Sequence, residues 1–162
     1  MKRLFCLISV LSLCFSFIGC SEKKEYRDGL ECSELLGSAA EKLSGDIEYK
    51  ALGADHVKYN FDDGLMGDHA FLASASSSDI NEMGIFHASD KKECEDILEL
   101  CEDYFEDYLE EKEEFIASYA PRELEKLKNA EARRFGNYVA YAILSENDKD
   151  IFFDTVEKLL KK

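Results

Sequence analysis

Apolar residues recur along this chain with two periods, and each period marks a different kind of element. From Cys32 to Leu43 they fall at Leu35, Leu36, Ala39, Ala40 and Leu43, the i, i+3, i+4 stripe of a helix with one buried face, which Ser44-Gly45 ends. Tyr49 to Gly67 is irregular. Within it His56-Val57-Lys58-Tyr59-Asn60-Phe61 alternates as a short strand would and Asp62-Asp63-Gly64 breaks the pattern, which predicts one turn or an edge strand. Ala70 to Ser76 and Ile80 to Ala88 predict two strands joined through the polar loop around Ser77-Ser78-Asp79.

Asp90 to Ser118 is the longest periodic stretch. Cys94, Ile97, Leu98, Cys101, Phe105, Tyr108, Leu109 and Ile116 keep to one face, and Asp90 with Glu93 makes a capping box. Pro121 ends that helix, and Arg122 to Leu127 fit a further turn. Ala130 to Phe135 and Tyr138 to Leu144 predict a second hairpin turned at Gly136-Asn137. Ile151, Phe152, Val156, Leu159 and Leu160 mark a last helix, capped by Ser145 and Asp148. The order is helix, strand-strand-helix, strand-strand-helix. It predicts an α+β domain in which two hairpins join into an antiparallel sheet of about four strands, with three helices packed on one face.

The first residues follow neither period. Lys2 and Arg3 precede an apolar run, Leu4 to Ile18, which closes in Phe17-Ile18-Gly19-Cys20 and then turns polar. That is how a bacterial lipoprotein precursor begins, with the small Gly19 giving a peptidase access and the Cys20 thiol carrying diacylglycerol. A single-pass membrane helix is the competing reading. The apolar run is about 15 to 17 residues, short of the roughly 20 that span a bilayer, so lipidation is favoured. Two or three acyl chains on Cys20 give lasting anchorage where one is marginal. The expected organisation is therefore a signal peptide over 1–19, lipidated Cys20 with a polar tether over 20–30, and a single α+β domain over 31–162. The domain is expected on the extracytoplasmic face of the cell membrane.

Charge narrows the partners. The chain carries 20 basic and 35 acidic residues, a formal charge of −15, and loss of Lys2 and Arg3 with the signal makes it −17. Such a surface repels nucleic acid and anionic lipid headgroups, so the expected contacts are the membrane through Cys20 and an envelope protein or wall component, with no nucleic acid. Of six cysteines, Cys6 and Cys14 leave with the signal and Cys20 is acylated, which leaves Cys32, Cys94 and Cys101. Cys94 and Cys101 share one helix about 10 Å apart and cannot bridge; Cys32 can pair with either only if its helix docks there. Three small buried hydrophobes is the favoured reading.

No residue pattern names a reaction. His56, His69 and His87 match no zinc spacing. Asn60-Phe61-Asp62-Asp63-Gly64 weakly resembles a calcium loop but lacks the closing glutamate, and Asp68 comes too early. Ser74, Ser76, Ser77 and Ser78 lie near His87 in sequence without a nucleophile-elbow context. Carboxylates of the long helix, from Glu95 to Glu113, fit a solvated face. Arg133 and Arg134, adjacent on a strand, point to opposite faces, which allows one to pair with a carboxylate and leaves the other for an acidic ligand. No catalytic, cofactor-binding or metal residue is assigned, and Cys20 is the one site residue.

Ser118-Tyr119-Ala120-Pro121 and Gly136-Asn137-Tyr138-Val139 follow the strand Asn81-Glu82-Met83-Gly84-Ile85-Phe86 and the long acidic helix. In that order these motifs resemble the domain of unknown function 4358, found in lipoproteins of Clostridia and related Firmicutes. The resemblance covers roughly residues 32 to 161. It implies an α+β fold and an extracytoplasmic compartment, and it implies no activity or site residues. Independently of it, Pro121 suits a helix exit with Tyr119 packing back on the core, and Gly136-Asn137 suits a tight turn with positive φ at both residues. The expected function is a non-catalytic interaction or structural module of the cell envelope. A lipoprotein that binds a small solute or metal for a transporter and an extracytoplasmic hydrolase are the alternatives.

Overall fold

A computed structural model describes residues 25–45, 47–61 and 67–162. Cys20, the signal segment and Asp62-Asp63-Gly64 lie outside the described residues. Among those described, the elements run α1 (Cys32–Ala40), β1 (Tyr49–Ala51), α2 (Ala54–Asn60), β2 (His69–Ser74), β3 (Glu82–His87), α3 (Lys91–Tyr119), α4 (Pro121–Lys128), β4 (Glu131–Phe135), β5 (Tyr138–Ile143) and α5 (Glu146–Leu160). No helix among them is long and apolar enough to cross a membrane.

The fold is α+β. Its five strands lie in the order β1-β2-β3-β5-β4, each neighbour antiparallel. The two predicted hairpins, β2-β3 and β4-β5, join through β3 and β5, where Glu82 faces Ile143 and His87 faces Tyr138. The three predicted helices are α1, α3 and α5. Two short helices and the edge strand β1 add to them.

Helices cover both faces of the sheet rather than one. Met83, Ile85, Tyr138, Ala140 and Ala142 pack with α1 and α5, while Phe71, Phe86, Val139, Tyr141 and Ile143 pack with α3 and α4. The cause is visible in the central strands, whose residues are nearly all buried, Glu82 to Phe86 and Tyr138 to Ile143. A strand buried on both sides is an unbroken apolar run, whereas one-face coverage requires alternation with polar residues.

Local chemistry explains most element ends. Asp90 accepts from the Glu93 backbone N–H at 2.9 Å, and the Glu93 carboxylate accepts from the Ser89 N–H at 2.6 Å, so the capping box closes one residue earlier than predicted. Ser145 accepts from the Asp148 N–H at the start of α5. Pro121 takes the first position of α4, where its missing N–H costs nothing. At the β4-β5 turn only Gly136 has positive φ, 64°, so the turn has glycine at its first central position and Asn137 in an ordinary conformation.

Two local expectations are corrected. His56 to Phe61 is not a strand: residues 54 to 60 form α2, which turns His56 inward and leaves Phe61, just past its end, buried, while Tyr59 is 78% exposed. Six residues alternating in polarity fit one helical turn and a half as well as a strand. Tyr119 does not pack on the core; it too is 78% exposed and lies against Phe115, 4.8 Å between ring centres.

Residues 25–30, expected as the end of a tether, are bound to the domain. Arg27 N–H donates to Leu160 O at 2.6 Å and Lys162 N–H to Glu25 O at 3.1 Å, pairing the strap with the end of α5. The Tyr138 hydroxyl accepts from Leu30 N–H and donates to Leu30 O, and Asp28 meets His87 Nε2 at 2.5 Å. Tyr26 packs on Phe135 and over Gly136, where an added Cβ would come within 2.9 Å of its own.

Candidate functional site: a buried Glu-His-Tyr cluster beneath a tyrosine recess

Glu82 opens β3 and points into the core between the sheet and α3, 8% exposed. The Tyr104 hydroxyl from α3 and the Tyr141 hydroxyl from β5 both donate to its Oε1, at 2.9 and 2.7 Å. His56 Nε2 lies 3.5 Å from the same oxygen and 3.3 Å from the Tyr141 oxygen. Gly84 makes this possible. A side chain there would overlap the Tyr141 ring and reach Phe71 atoms at 2.6 and 2.9 Å, so the two rings fill the space over a bare backbone.

The hydrogen bonds define a proton arrangement. Since Tyr141 O–H donates to Glu82, its oxygen accepts from His56 Nε2–H; His56 Nδ1 then accepts from the Asn60 amide at 3.0 Å. The imidazole is neutral with its proton on Nε2. Burial agrees, pushing His56 down to about 4. Burial pushes the Glu82 carboxyl up, an effect partly offset by the two phenol hydrogen bonds. Both phenols are pushed up by burial and by the Glu82 charge, so they stay protonated donors. The result is a relay, Asn60 to His56 to Tyr141 to Glu82, with Tyr104 as a second donor.

A recess of about 290 Å³ lies above this cluster, lined by Tyr59 and Asn60 of α2 and by Tyr104, Asp107, Tyr108, Glu111 and Lys112 of α3. Tyr104 and Asn60 belong to both, so the recess meets the relay through them. Tyr104 and Tyr108 are one turn apart with ring centres 5.8 Å apart. A buried carboxyl and a neutral imidazole beneath a concave aromatic surface are features found at binding sites.

Other residues singled out by sequence are dispersed. His69 Nδ1 meets Gly67 O and His87 meets Asp28, so neither reaches His56; no cluster of three metal-ligating side chains occurs among the described residues. Ser76 and Ser78 bond each other, and Ser74 accepts from Ser76 N–H, at the end of β3 opposite His87. Arg133 holds Glu131 through two hydrogen bonds of 2.6 and 2.9 Å and lies over the Phe153 ring, while Arg134 donates to Gly136 O. Along the acidic helix, Glu95, Asp96 and Glu113 form exposed pairs with Lys91, Lys92 and Lys128. Cys32, Cys94 and Cys101 are buried free thiols; Cys32 packs on the α1-α5 face and the other two on the α3 face, so Cys32 meets neither.

Glu82, Tyr104 and Tyr141 belong to no local motif. Their signal was an acid opening an otherwise apolar strand, because a charge inside a fully buried run requires partners.

The family model for DUF4358, Domain of unknown function, matches residues 56–144, more than half of the chain. This chain belongs to that family. The DUF4358 stretch begins at His56 and takes in Glu82, Tyr104 and Tyr141, so the whole relay lies within it, while α1, β1 and α5 lie outside. No curated protein and no solved structure matches the chain.

Proposed function

We propose that this DUF4358 chain is a bacterial cell-envelope lipoprotein, anchored to the membrane through lipidated Cys20 on its extracytoplasmic face, whose domain acts as a non-catalytic binding module for an envelope protein or wall component. The observation that carries the binding part is the recess between α2 and α3, whose floor is held rigid by hydrogen bonds from Tyr104 and Asn60 into the buried cluster. A preorganised floor reduces the ordering cost of association. The anchoring part rests on Gly19-Cys20 at the end of the apolar leader and on the polar residues that follow.

Two measurements test the reading. Mass spectrometry of the mature N-terminus is expected to show diacylglycerol on Cys20, and an unmodified Cys20 refutes the anchor. A photo-crosslinking residue in place of Tyr59, activated on intact cells, is expected to trap a discrete partner. No adduct from any recess position refutes the binding module. The modest volume also favours a second reading, capture of a small solute for a transporter, and a metabolite that raises the melting temperature by several degrees supports it.

A further inference from the structure

We propose that the recess between α2 and α3 binds a positively charged nitrogen on a short aliphatic stem, an alkylammonium or guanidinium group. The inference rests on the binding-module reading and assigns the chemistry of the ligand. Asn60 turns its amide nitrogen inward, to His56 Nδ1 at 3.0 Å and to His56 O at 2.9 Å. Its carbonyl oxygen, an acceptor only, has no hydrogen-bond partner among the described residues. Asp107 adds a carboxylate with no ion pair among the described residues, whereas Glu111 is matched by Lys112 at 3.5 Å. Of the donors on the lining of the recess, the Tyr104 hydroxyl is committed to Glu82 and the Lys112 ammonium faces Glu111 at 3.5 Å, which leaves the Tyr59 and Tyr108 hydroxyls.

The walls favour a cation for a second reason. Tyr104 and Tyr108 present aromatic surface whose π-electrons attract positive charge. Tyr59 is already engaged in this way, with Lys58 Nζ 5.9 Å from its ring centre. A volume of about 290 Å³ admits a lysine-length stem and not a large ring system. The excess of 35 acidic over 20 basic residues draws cations toward the surface and repels anions.

The chain has no tryptophan, and three of its eight tyrosines, Tyr59, Tyr104 and Tyr108, line the recess, so a change in tyrosine emission over the background of the other five reads its occupancy. The mature full-length protein, in detergent, is titrated with n-butylammonium, n-butanol and butyrate, which share a stem and differ in charge. The expected result is a saturable change with n-butylammonium alone, weakened about fivefold or more by Asp107→Asn and by added salt, and unchanged by Glu102→Gln, an exposed residue on the far side of α3 from Asp107. Competition by Nα-acetyl-lysine methylamide alone assigns the group to a side chain of a basic protein segment. Competition by spermidine alone assigns it to a free polyamine, and competition by both supports the shared chemistry. Equal binding of n-butanol, an unaffected Asp107→Asn variant, or no saturable change with any ammonium probe overturns the proposal. If the Tyr59 crosslinker still traps a partner when every ammonium probe fails, only this inference falls; if neither gives a signal, the binding-module reading falls with it.

Discussion

Gly84→Ala tests the packing on which the buried cluster depends. The added methyl would overlap the Tyr141 ring and lie 2.6 Å from Phe71 Cδ1 and 2.9 Å from Phe71 Cε1, against the roughly 3.6 Å of ordinary carbon contacts. Each ring must move by about 1 Å, and neither has space, since Tyr141 is fully buried and Phe71 is 3% exposed. Overpacking of this kind costs about 1–3 kcal/mol. Displacing Tyr141 also strains its hydrogen bond to Glu82, and a buried carboxyl losing a donor adds about 1–3 kcal/mol. Replacing glycine in a strand returns about 0.5–1 kcal/mol. The net expectation is a destabilisation of about 2–4 kcal/mol, or a fall in Tm on the order of 10 °C. Urea denaturation of the mature protein measures it, with the slope unchanged if the transition stays two-state. Phe71→Leu in the Gly84→Ala background is expected to recover about 1 kcal/mol relative to the sum of the single changes. A Gly84→Ala protein within about 0.5 kcal/mol of the parent, or strict additivity with Phe71→Leu, refutes the reasoning.

The relay predicts a pH dependence. His56 is held at about 4, below the 6.5 of an exposed histidine, so the unfolded chain takes up a proton that the native one refuses; stability is complete above 6.5 and declines as pH falls toward 4. The shift is worth about 2 kcal/mol after allowance for partial solvent access, and the upward shift of Glu82 opposes it, being stabilising at low pH and lost as pH rises. The stability advantage of the parent over His56→Gln is expected to shrink by about 1 kcal/mol or more between pH 7.5 and 4.5, and a constant difference across that range refutes it. Burial pushes the Cys32, Cys94 and Cys101 thiols up, so all three are expected to resist a disulfide reagent in the native protein and to react in urea; a fast-reacting thiol contradicts this placement. Asp148 accepts from Ser44 N–H and from the Ser44 and Ser145 hydroxyls, so Asp148→Ala is expected to cost about 2 kcal/mol by chemical denaturation, and an effect under about 0.5 kcal/mol argues against this staple.

How far the sequence carries depends on whether the signal is local. Both hairpins, α1, α3 and α5 follow from period and turn chemistry, because Gly136-Asn137, Asp90 and Ser145 act within a few residues of themselves. Helix α2 was missed because seven residues are too few for period to discriminate, and its placement comes from His56 and Phe61 packing against Phe71. The site was illegible for the same reason at longer range. His56, Glu82, Tyr104 and Tyr141 stand on four elements, and nothing in their spacing announces that three hydrogen bonds and an imidazole converge there. Tyr104 also lies on the buried face of α3, 7% exposed, although the predicted apolar face does not include it.

The docked strap gives the domain a top and a bottom. Residues 25–30 are fastened beside Tyr138, Gly136 and the end of α5, at the end of the sheet where His87 lies. Cys94, near Gly136, and Tyr108, in the recess, are separated along α3 by about 21 Å. With Cys20 acylated as proposed, the anchored segment would join the domain beside the β4-β5 turn and the end of α5. The tyrosine recess lies further along α3 from that entry point, so the shortest covalent and packed path between a bound partner and the strap would run through α3 and the sheet. The two backbone bonds that join Arg27 and Glu25 to the end of α5 would then couple such an anchor to the folded domain.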